Sequence, residues 1–418
     1  MEKIFEEWTE YASEKELKNR NITYNLLELA EKKLIFINGI RRSGKSCLMM
    51  LLMKNSPGKS AYINLEDERI PRETTSLDSI LRWFGDSGYL FLDEITAING
   101  WEGWLARVHE QTKGKLKIIA ASSMRTTSNI TKPLRGRSIE YELFPLSFTE
   151  FLAFKNIKIK KTLPGERIIE KALSEYLEFG GYPEVIQCSN DTDKTLILLS
   201  YYKDIVALDI AEKSKTNLTF VNMITRYLID STLFSASKCA NFLKSIGIKT
   251  GKEKILDLER ISELSYLFFF IPIFSFNIKD KFQYPRKVYP GDTGFIHSIS
   301  REKGFGRIYE NAVFLSLRRN LKPGEEINHW KDKDGYEVDF ILREGTHVDK
   351  IIQVSLGADL KDREFRSGIK AAKEFNKNEV IIIGDQDGIE EREGITFRLI
   401  SFRWWFLPPT RRLVRGEN

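Results

Sequence analysis

Eight residues, Gly39-Ile40-Arg41-Arg42-Ser43-Gly44-Lys45-Ser46, spell G-x-x-x-x-G-K-S. With that spacing a glycine-bounded loop can wrap the phosphates of a nucleoside triphosphate. The backbone N–H groups of the loop and the positive end of the next helix would face the phosphates. That assigns Gly39, Arg42, Ser43, Gly44, Lys45, Ser46 and Cys47 to the cradle. Lys45 is expected at the β- and γ-phosphates and the Ser46 hydroxyl on Mg²⁺. A second cluster, Asp93-Glu94, closes the apolar run Tyr89-Leu90-Phe91-Leu92. Asp93 is expected to hold the Mg²⁺ shell through water, and Glu94 to polarise the attacking water. Ser122, near the end of the run Leu116 to Ser123, is chosen over Ser123 as a γ-phosphate sensor. Arg135 and Arg137 flank Gly136, either as surface charges or as a charge-stabilising finger.

These residues need a scaffold, and the sequence supplies one. Lys33-Leu34-Ile35-Phe36-Ile37-Asn38 is a β-branched and aromatic run typical of a buried strand. Cys47 to Lys54 is unbranched and apolar, suited to a buried helix. Ser60 to Glu66, Tyr89 to Glu94, Leu116 to Ser123 and Ile139 to Leu143 read as further strands. Four apolar residues ending in two carboxylates suit a central parallel strand whose C-terminal end opens on a ligand crevice.

The order of phosphate loop, Asp-Glu strand, Ser-tipped strand and Pro133-Leu134-Arg135-Gly136-Arg137 resembles the AAA+ ATPases. In their branch-migration motors a similar Pro-Leu-Arg-x-Arg segment carries the arginine that reaches a neighbour's ATP. The resemblance implies that Arg137, with Arg135 second, completes another subunit's site in a homo-oligomer, a ring. A nearer resemblance covers most of the chain. It rests on the loop, on Trp101 and Trp104, on Leu134-Arg135-Gly136-Arg137, on Phe144 to Phe151 and on Gly180-Gly181-Tyr182-Pro183-Glu184. These are similar to a prokaryotic (archaeal and bacterial) family of AAA-type P-loop ATPases with a C-terminal domain shaped like a restriction endonuclease. Gly181-Tyr182-Pro183 also resembles the lid turn of signalling and origin-recognition ATPases, and reads equally as a helix C-cap followed by a stop proline.

From Asn217 to Phe276 the pattern is helix, short helix, helix, strands. Ser235 to Leu243 is an amphipathic helix closed by Gly247. A second helix follows Thr250 and is expected to turn Leu256, Leu258, Ile261 and Leu264 inward. This is helix-turn-helix spacing with strands available for a wing. Lys238, Lys244, Lys249, Lys252 and Lys254 lie here against Glu253 alone, which suits phosphate contacts or a merely solvated face. Tyr266 to Phe276, read as paired buried strands, is too short to span a bilayer. Further on, Glu310 on a helix, Asp339 on a strand and the Gln353-x-Ser355 pair match, in order, the PD-(D/E)xK nuclease positions. Gln353 and Ser355 replace the acid and lysine that this chemistry needs, so a non-cleaving scaffold is expected. The tail Thr410 to Arg415 reads as a basic arm.

The chain has 418 residues, 42% hydrophobic, with 65 basic against 59 acidic side chains and a net charge of +6. That mild excess permits contact with nucleic acid without requiring it. Cys47, Cys188, Cys239 and four histidines show no zinc-type spacing. The N-terminus is too acidic and polar for a signal peptide, and a cytoplasmic location is expected. The expected fold is α/β: a P-loop AAA+-type parallel-sheet core (1–149), a helical lid (150–212), a winged-helix-like domain (213–284) and a restriction-endonuclease-like α/β domain (285–418). The expected activity is Mg²⁺-dependent ATP hydrolysis that binds or remodels duplex or branched DNA. No base-reading motif separates ATP from GTP; the family likeness implies ATP. The alternatives are an ATP-gated signalling or toxin–antitoxin-like switch acting on protein partners, and an active nuclease. No membrane and no zinc are expected.

Overall fold

A computed structural model describes residues 1–22, 25–126, 134–160, 162–277, 279, 284–300, 304–357 and 362–407. The basic tail after residue 407 and Lys132-Pro133 lie outside the described residues. The chain forms two compact units, Met1–Pro145 with Leu264–Tyr266, and Leu146–Glu263 with Leu267–Asn418.

The first unit is built on five strands: β1 (Leu34–Asn38), β2 (Ser60–Asn64), β3 (Gly88–Asp93), β4 (Leu116–Ser122) and β5 (Ser138–Glu142). They lie in the order β2-β3-β4-β1-β5, and every pairing is parallel. The helices are α1 (Glu2–Glu14), α2 (Leu26–Ala30), α3 (Lys45–Asn55), α4 (Thr74–Phe84) and α5 (Trp101–Thr112). Because successive strand residues point to opposite faces, the sheet feeds two cores. Leu34, Phe36, Ile63, Leu90, Leu92 and Ile118 pack on one side with Leu77, Ile80, Trp104 and Leu105 of α4 and α5. Ile35, Ile37, Tyr62, Phe91 and Ile119 pack on the other with Leu48, Met49 and Leu52 of α3. A sheet covered on both faces explains why β1 is apolar almost throughout. All five strands run the same way, so their C-terminal ends share one edge.

In the second unit, α6 (Phe148–Phe154), α7 (Leu163–Phe179), α8 (Pro183–Gln187) and α9 (Asp191–Asp204) make the helical lid, and a π-helical stretch, Ile205–Glu212, continues α9. Helix α6 opens on a capping box, Ser147 with Glu150. Next come α10 (Leu218–Asp230), β6 (Leu233–Phe234), α11 (Ala236–Ser245), α12 (Lys252–Leu264), β7 (Phe268–Ile271), β8 (Arg286–Pro290) and α13 (Thr293–Ile299). Strands β6, β8 and β7 form an antiparallel sheet with β8 central. The apolar stretch from Tyr266 therefore does not pair with itself. Only Phe268–Ile271 is a strand, and it pairs with β8. Leu256 is 43% exposed and Ile255 is buried in its place. The buried stripe of α12 keeps Leu258 and Ile261 as expected but takes Ile255, Glu259 and Ser262 with them, leaving Leu256 outside and Leu264 half-buried.

The last layer holds α14 (Phe305–Arg319), β9 (Glu325–Lys331), β10 (Glu337–Glu344), β11 (His347–Val354), α15 (Asp362–Glu374), β12 (Glu379–Gly384), β13 (Gly388–Arg392), β14 (Ile395–Ser401) and α16 (Phe402–Trp405). The six strands make one mixed sheet, β13-β14-β12-β11-β10-β9. The β11–β12 and β12–β14 pairs are parallel. Helix α15 packs through Phe365, Ile369 and Ala372 on Val338, Ile341, Val380 and Phe397.

Candidate phosphate-binding site

The phosphate loop leaves the end of β1 and enters α3. Two of its residues are left-handed, Arg42 with φ 68° and Gly44 with φ 100°, and they turn the chain so that α3 starts directly at Lys45. Gly39 meets a different demand. A Cβ there would stand 2.1 Å from the Leu143 carbonyl oxygen, because Leu143 N–H donates to Asn38 O at 2.7 Å as the chain leaves β5. The Arg20 guanidinium straps the loop from outside, donating to Ser43 O at 2.8 Å and to Phe144 O at 3.0 Å.

Lys45 is 5% exposed. Its ammonium donates to the Gly39 and Ile40 carbonyls at 2.9 and 3.3 Å and stands 3.8 Å from Glu94 Oε1. Asp93, at the tip of β3, is 2% exposed. Its Oδ2 accepts from the Tyr62 hydroxyl at 2.6 Å, its Oδ1 accepts from Glu94 N–H at 3.1 Å, and the Ser46 hydroxyl stands near enough to favour its charged form. Burial and the neighbouring Glu94 charge push the Asp93 carboxyl up, while Ser46, Tyr62 and Lys45 act against that rise. Burial and Asp93 keep Tyr62 protonated, hence a donor.

Glu94 leaves the strand in a left-handed conformation, φ 50°, and its Oε2 accepts from Ser123 N–H at 2.9 Å. Ser122 ends β4 fully buried. Its carbonyl accepts from Gly39 N–H at 3.2 Å. Its hydroxyl accepts from Met124 N–H at 3.0 Å and lies 3.3 Å from Thr96 Oγ1. Lys45, Ser46, Asp93, Glu94 and Ser122 therefore meet at one edge of the sheet. Cys47 is a half-buried free thiol in the first turn of α3. Arg42 is exposed.

The donor set suits a nucleoside triphosphate with Mg²⁺. The buried Ser43 hydroxyl has no hydrogen-bond partner, an eleven-residue helix opens at Lys45, and hydroxyl and carboxylate oxygens are hard ligands of the kind Mg²⁺ takes. Tyr62 and Arg20 were missed from sequence, because each acts through a partner distant along the chain.

Arg137 is placed elsewhere. Its carbonyl accepts from Leu34 N–H at 2.9 Å, so it stands at the start of β5, beside the start of β1. The loop lies at the other end of β1, about 16 Å away for a five-residue strand. The guanidinium is 41% exposed and lies 3.3 Å from Glu110. Arg135 is exposed. Trp101 and Trp104 are core residues, and the Trp104 indole donates to Asp78 at 2.8 Å.

In the second unit Lys238, Lys244, Lys249, Lys252 and Lys254 are all exposed. Glu310 of α14 and Asp339 of β10 are brought together. Between them stands Lys287 of β8, whose ammonium donates to Glu310 Oε1 at 2.8 Å and Asp339 Oδ1 at 2.7 Å. The Tyr289 hydroxyl donates to Glu310 Oε1 at 2.6 Å. Gln353 Oε1 accepts from Asp339 N–H at 3.3 Å, and the Ser355 hydroxyl turns to Glu364 at 2.6 Å. Burial lifts Asp339 to about 6, and the Glu310 charge adds to the lift while Lys287 opposes it. Lys287 and Tyr289 overcome burial to hold Glu310 below its ordinary range. Among the described residues no three His, Cys, Asp or Glu side chains group to hold a metal, and no helix is long and apolar enough to cross a membrane.

Three family models match in succession: AAA domain over residues 31–152, domain of unknown function DUF8612 over 170–304, and domain of unknown function DUF4143 over 305–404. The uncharacterized protein MJ1544 of Methanocaldococcus jannaschii is 33% identical over 401 residues, covering 91% of this chain and 88% of that protein. An uncharacterized protein of Haemophilus influenzae is 25% identical over 397 residues, covering 91% and 96%. The Walker-type ATPase PABY2304 of Pyrococcus abyssi superposes with a TM-score of 0.47 at 14% identity, covering 69% of this chain and 99% of that one. The chain thus belongs to the family of the Methanocaldococcus jannaschii protein, and it is an AAA+-type P-loop ATPase that binds and hydrolyses ATP.

Proposed function

We propose that the chain is a Mg²⁺-dependent, cytoplasmic ATPase that works as a homo-oligomeric ring and uses hydrolysis to bind or remodel duplex or branched DNA. Gly39, Arg42, Ser43, Gly44 and Cys47 cradle the phosphates, Lys45 neutralises them, and Ser46 and Asp93 hold the metal. A bound Mg²⁺ supplies charge neutralisation on the phosphate oxygens. Glu94 orients and polarises the attacking water, and Ser122 senses the γ-phosphate. The observation that carries the oligomer is the place of Arg137. The Arg137 guanidinium, 41% exposed and 3.3 Å from Glu110 at the start of β5, is on the wrong sheet edge for its own loop, and we read it as serving a neighbour's. The catalytic set is therefore divided between subunits.

The DNA reading is supported by five exposed lysines on and between α11 and α12, two helices that we read as a helix-turn-helix with the three-stranded sheet as its wing. The C-terminal sheet, with Glu310 and Asp339 side by side, is read as a nuclease-like domain that does not cleave. One observation favours a second reading, an ATP-gated switch acting on a protein. Phe242, Ile246 and Leu256, on the same pair of helices and the turn after α11, are 40%, 50% and 43% exposed.

Two experiments test this. Arg137→Ala should bind ATP normally yet lose most hydrolysis, and mixing it with Lys45→Ala should restore part of the rate, since one mutant's loop can meet the other's arginine. No restoration in mixtures that do assemble argues against a divided site. Gel shifts with duplex and junction DNA should weaken by one or more orders of magnitude between about 50 and 200 mM salt. Absence of any shift at low salt transfers the weight to the protein-partner reading.

Tyr62 gives a sharper prediction. Its hydroxyl is a charge-assisted bond to a buried carboxylate, worth about 1.5–3 kcal/mol. Tyr62→Phe should raise the Mg²⁺ concentration for half-maximal ATPase about tenfold while leaving the fold intact. An unchanged Mg²⁺ titration curve would remove Tyr62 from the metal-positioning set.

A further inference from the structure

We propose that the C-terminal layer contains a cation site closed by the protein itself: the Lys287 ammonium stands between Glu310 and Asp339 where a divalent ion would sit, and removing that one side chain opens a site for a hard metal ion. Strand β8 is the middle strand of its sheet, with Lys287 opposite Leu233 on one side and Ile271 on the other. The backbone that carries the ammonium is thus held from both flanks. Tyr289, two residues on, shares the face of Lys287, and its hydroxyl caps the same Glu310 oxygen.

The inward oxygens are all engaged. Glu310 Oε1 takes both Lys287 and Tyr289, Asp339 Oδ1 takes Lys287, and Asp339 Oδ2 takes Val354 N–H at 2.9 Å. The Lys287 and Asp339 side chains are 13% and 10% exposed. His329, 5% exposed, is kept neutral by burial and by the Lys287 charge, its pKa lowered to about 4. It therefore adds no positive charge to the cluster.

Two carboxylates and one ammonium leave the cluster one positive charge short of neutral. A divalent ion could enter only by expelling Lys287 from two charge-assisted bonds and leaving an unpaired ammonium in a closed space. Stranding one partner of a buried ion pair is strongly unfavourable, which is why the native chain should refuse the metal. With the ammonium gone, two adjacent carboxylates and a phenol oxygen form a hard-oxygen site of the kind Ca²⁺ and lanthanides accept. The cluster stands on its own geometry. Only its meaning, that Lys287 disarms a nuclease-like centre, rests on the non-cleaving reading above.

Tb³⁺ is the probe, because the Tyr289 phenol, bonded to Glu310, can sensitise its luminescence. The full-length chain without nucleotide is titrated as native, Lys287→Met, Lys287→Met/Asp339→Asn and Lys287→Met/Tyr289→Phe. Methionine keeps the stem and removes the charge. Lys287→Met should gain one Tb³⁺ per chain, bound at least tenfold more tightly than any native site. The Asp339→Asn double variant should lose that ion, and the Tyr289→Phe variant should lose the luminescence. If Lys287→Met folds poorly, Ca²⁺ should raise its melting temperature and leave the native one unmoved. A Tyr289-dependent Tb³⁺ signal of equal strength in the native chain overturns the proposal. So does a Lys287→Met chain that gains neither luminescence nor Ca²⁺ stabilisation. Plasmid cleavage by the native chain with Mn²⁺ is read separately: it would refute the non-cleaving role without bearing on whether Lys287→Met gains an ion.

Discussion

Glu94→Gln will yield a protein that binds ATP and scarcely hydrolyses it. The side chain sits on a left-handed residue, φ 50°, an arrangement that costs of order 1–3 kcal/mol and persists only where neighbours enforce it. Here Asp93 Oδ1 accepts the Glu94 N–H, and the next residue, Ile95, is fully buried. Glutamine fits the same backbone, and its amide oxygen can still accept from Ser123 N–H. What it loses is the negative charge that polarises water, a contribution of about 10²–10⁴ in rate for a positioned base. It also removes the anion 3.8 Å from Lys45, leaving that ammonium freer for phosphate, so ATP affinity should hold or tighten. Single-turnover hydrolysis and equilibrium nucleotide binding check both halves. A variant retaining more than about a tenth of the native rate would remove Glu94 from its role.

The expectations that came through intact rest on contiguous signals. The loop, the strand before it and the Asp93-Glu94 tip are each read within a few neighbouring residues, and the parallel strands follow from apolar runs that only a doubly covered sheet needs. Long-range contacts are another matter. Tyr62 reads as a core aromatic on a strand; that its hydroxyl holds Asp93 depends on β2 lying beside β3 in register, Asn64 opposite Asp93. Lys287 escaped for the same reason. Its partners lie far along the chain: the ammonium beside Glu310 and Asp339 comes from a strand 23 residues before the one and 52 before the other. Arg137 could be named from its motif, but its distance from its own loop required the strand order. Leu256 shows the limit of periodicity: Leu258 and Ile261 turn inward as the spacing implies, but of the adjacent apolar pair Ile255-Leu256 it is Ile255 that is buried.

Asp292→Ala will destabilise the second unit by about 2–5 kcal/mol, because the carboxylate clamps the glycine turn that ends α7. Asp292 is 2% exposed. One oxygen accepts from Gly181 N–H at 2.9 Å and the other from Gly294 N–H at 2.9 Å. Removing it strands two buried N–H groups at about 1–3 kcal/mol each. Gly180 shows how tightly the turn is built. It has φ 75°, and a Cβ there would lie 1.6 Å from Asp292 Oδ1. Gly180→Ala should therefore be at least as damaging, through backbone strain and displacement of the clamp together. The pH dependence has a definite sign. Burial raises Asp292 from 3.8 to about 6, with the two N–H groups limiting the rise. A carboxyl raised on folding favours the neutral form, so its contribution is full below about pH 4 and is lost as pH climbs through 6, by up to about 3 kcal/mol. Asp292→Asn, which cannot ionise, should lack that decline between pH 4 and 7, yet stay below the native chain at pH 4 because its amide turns a donor toward an N–H. Thermal melts of the two chains at both pH values separate the effects. An Asp292→Ala chain melting within a degree or two of the native one would show that the turn holds itself, through Leu146 N–H on Gly181 O at 2.7 Å, without the carboxylate.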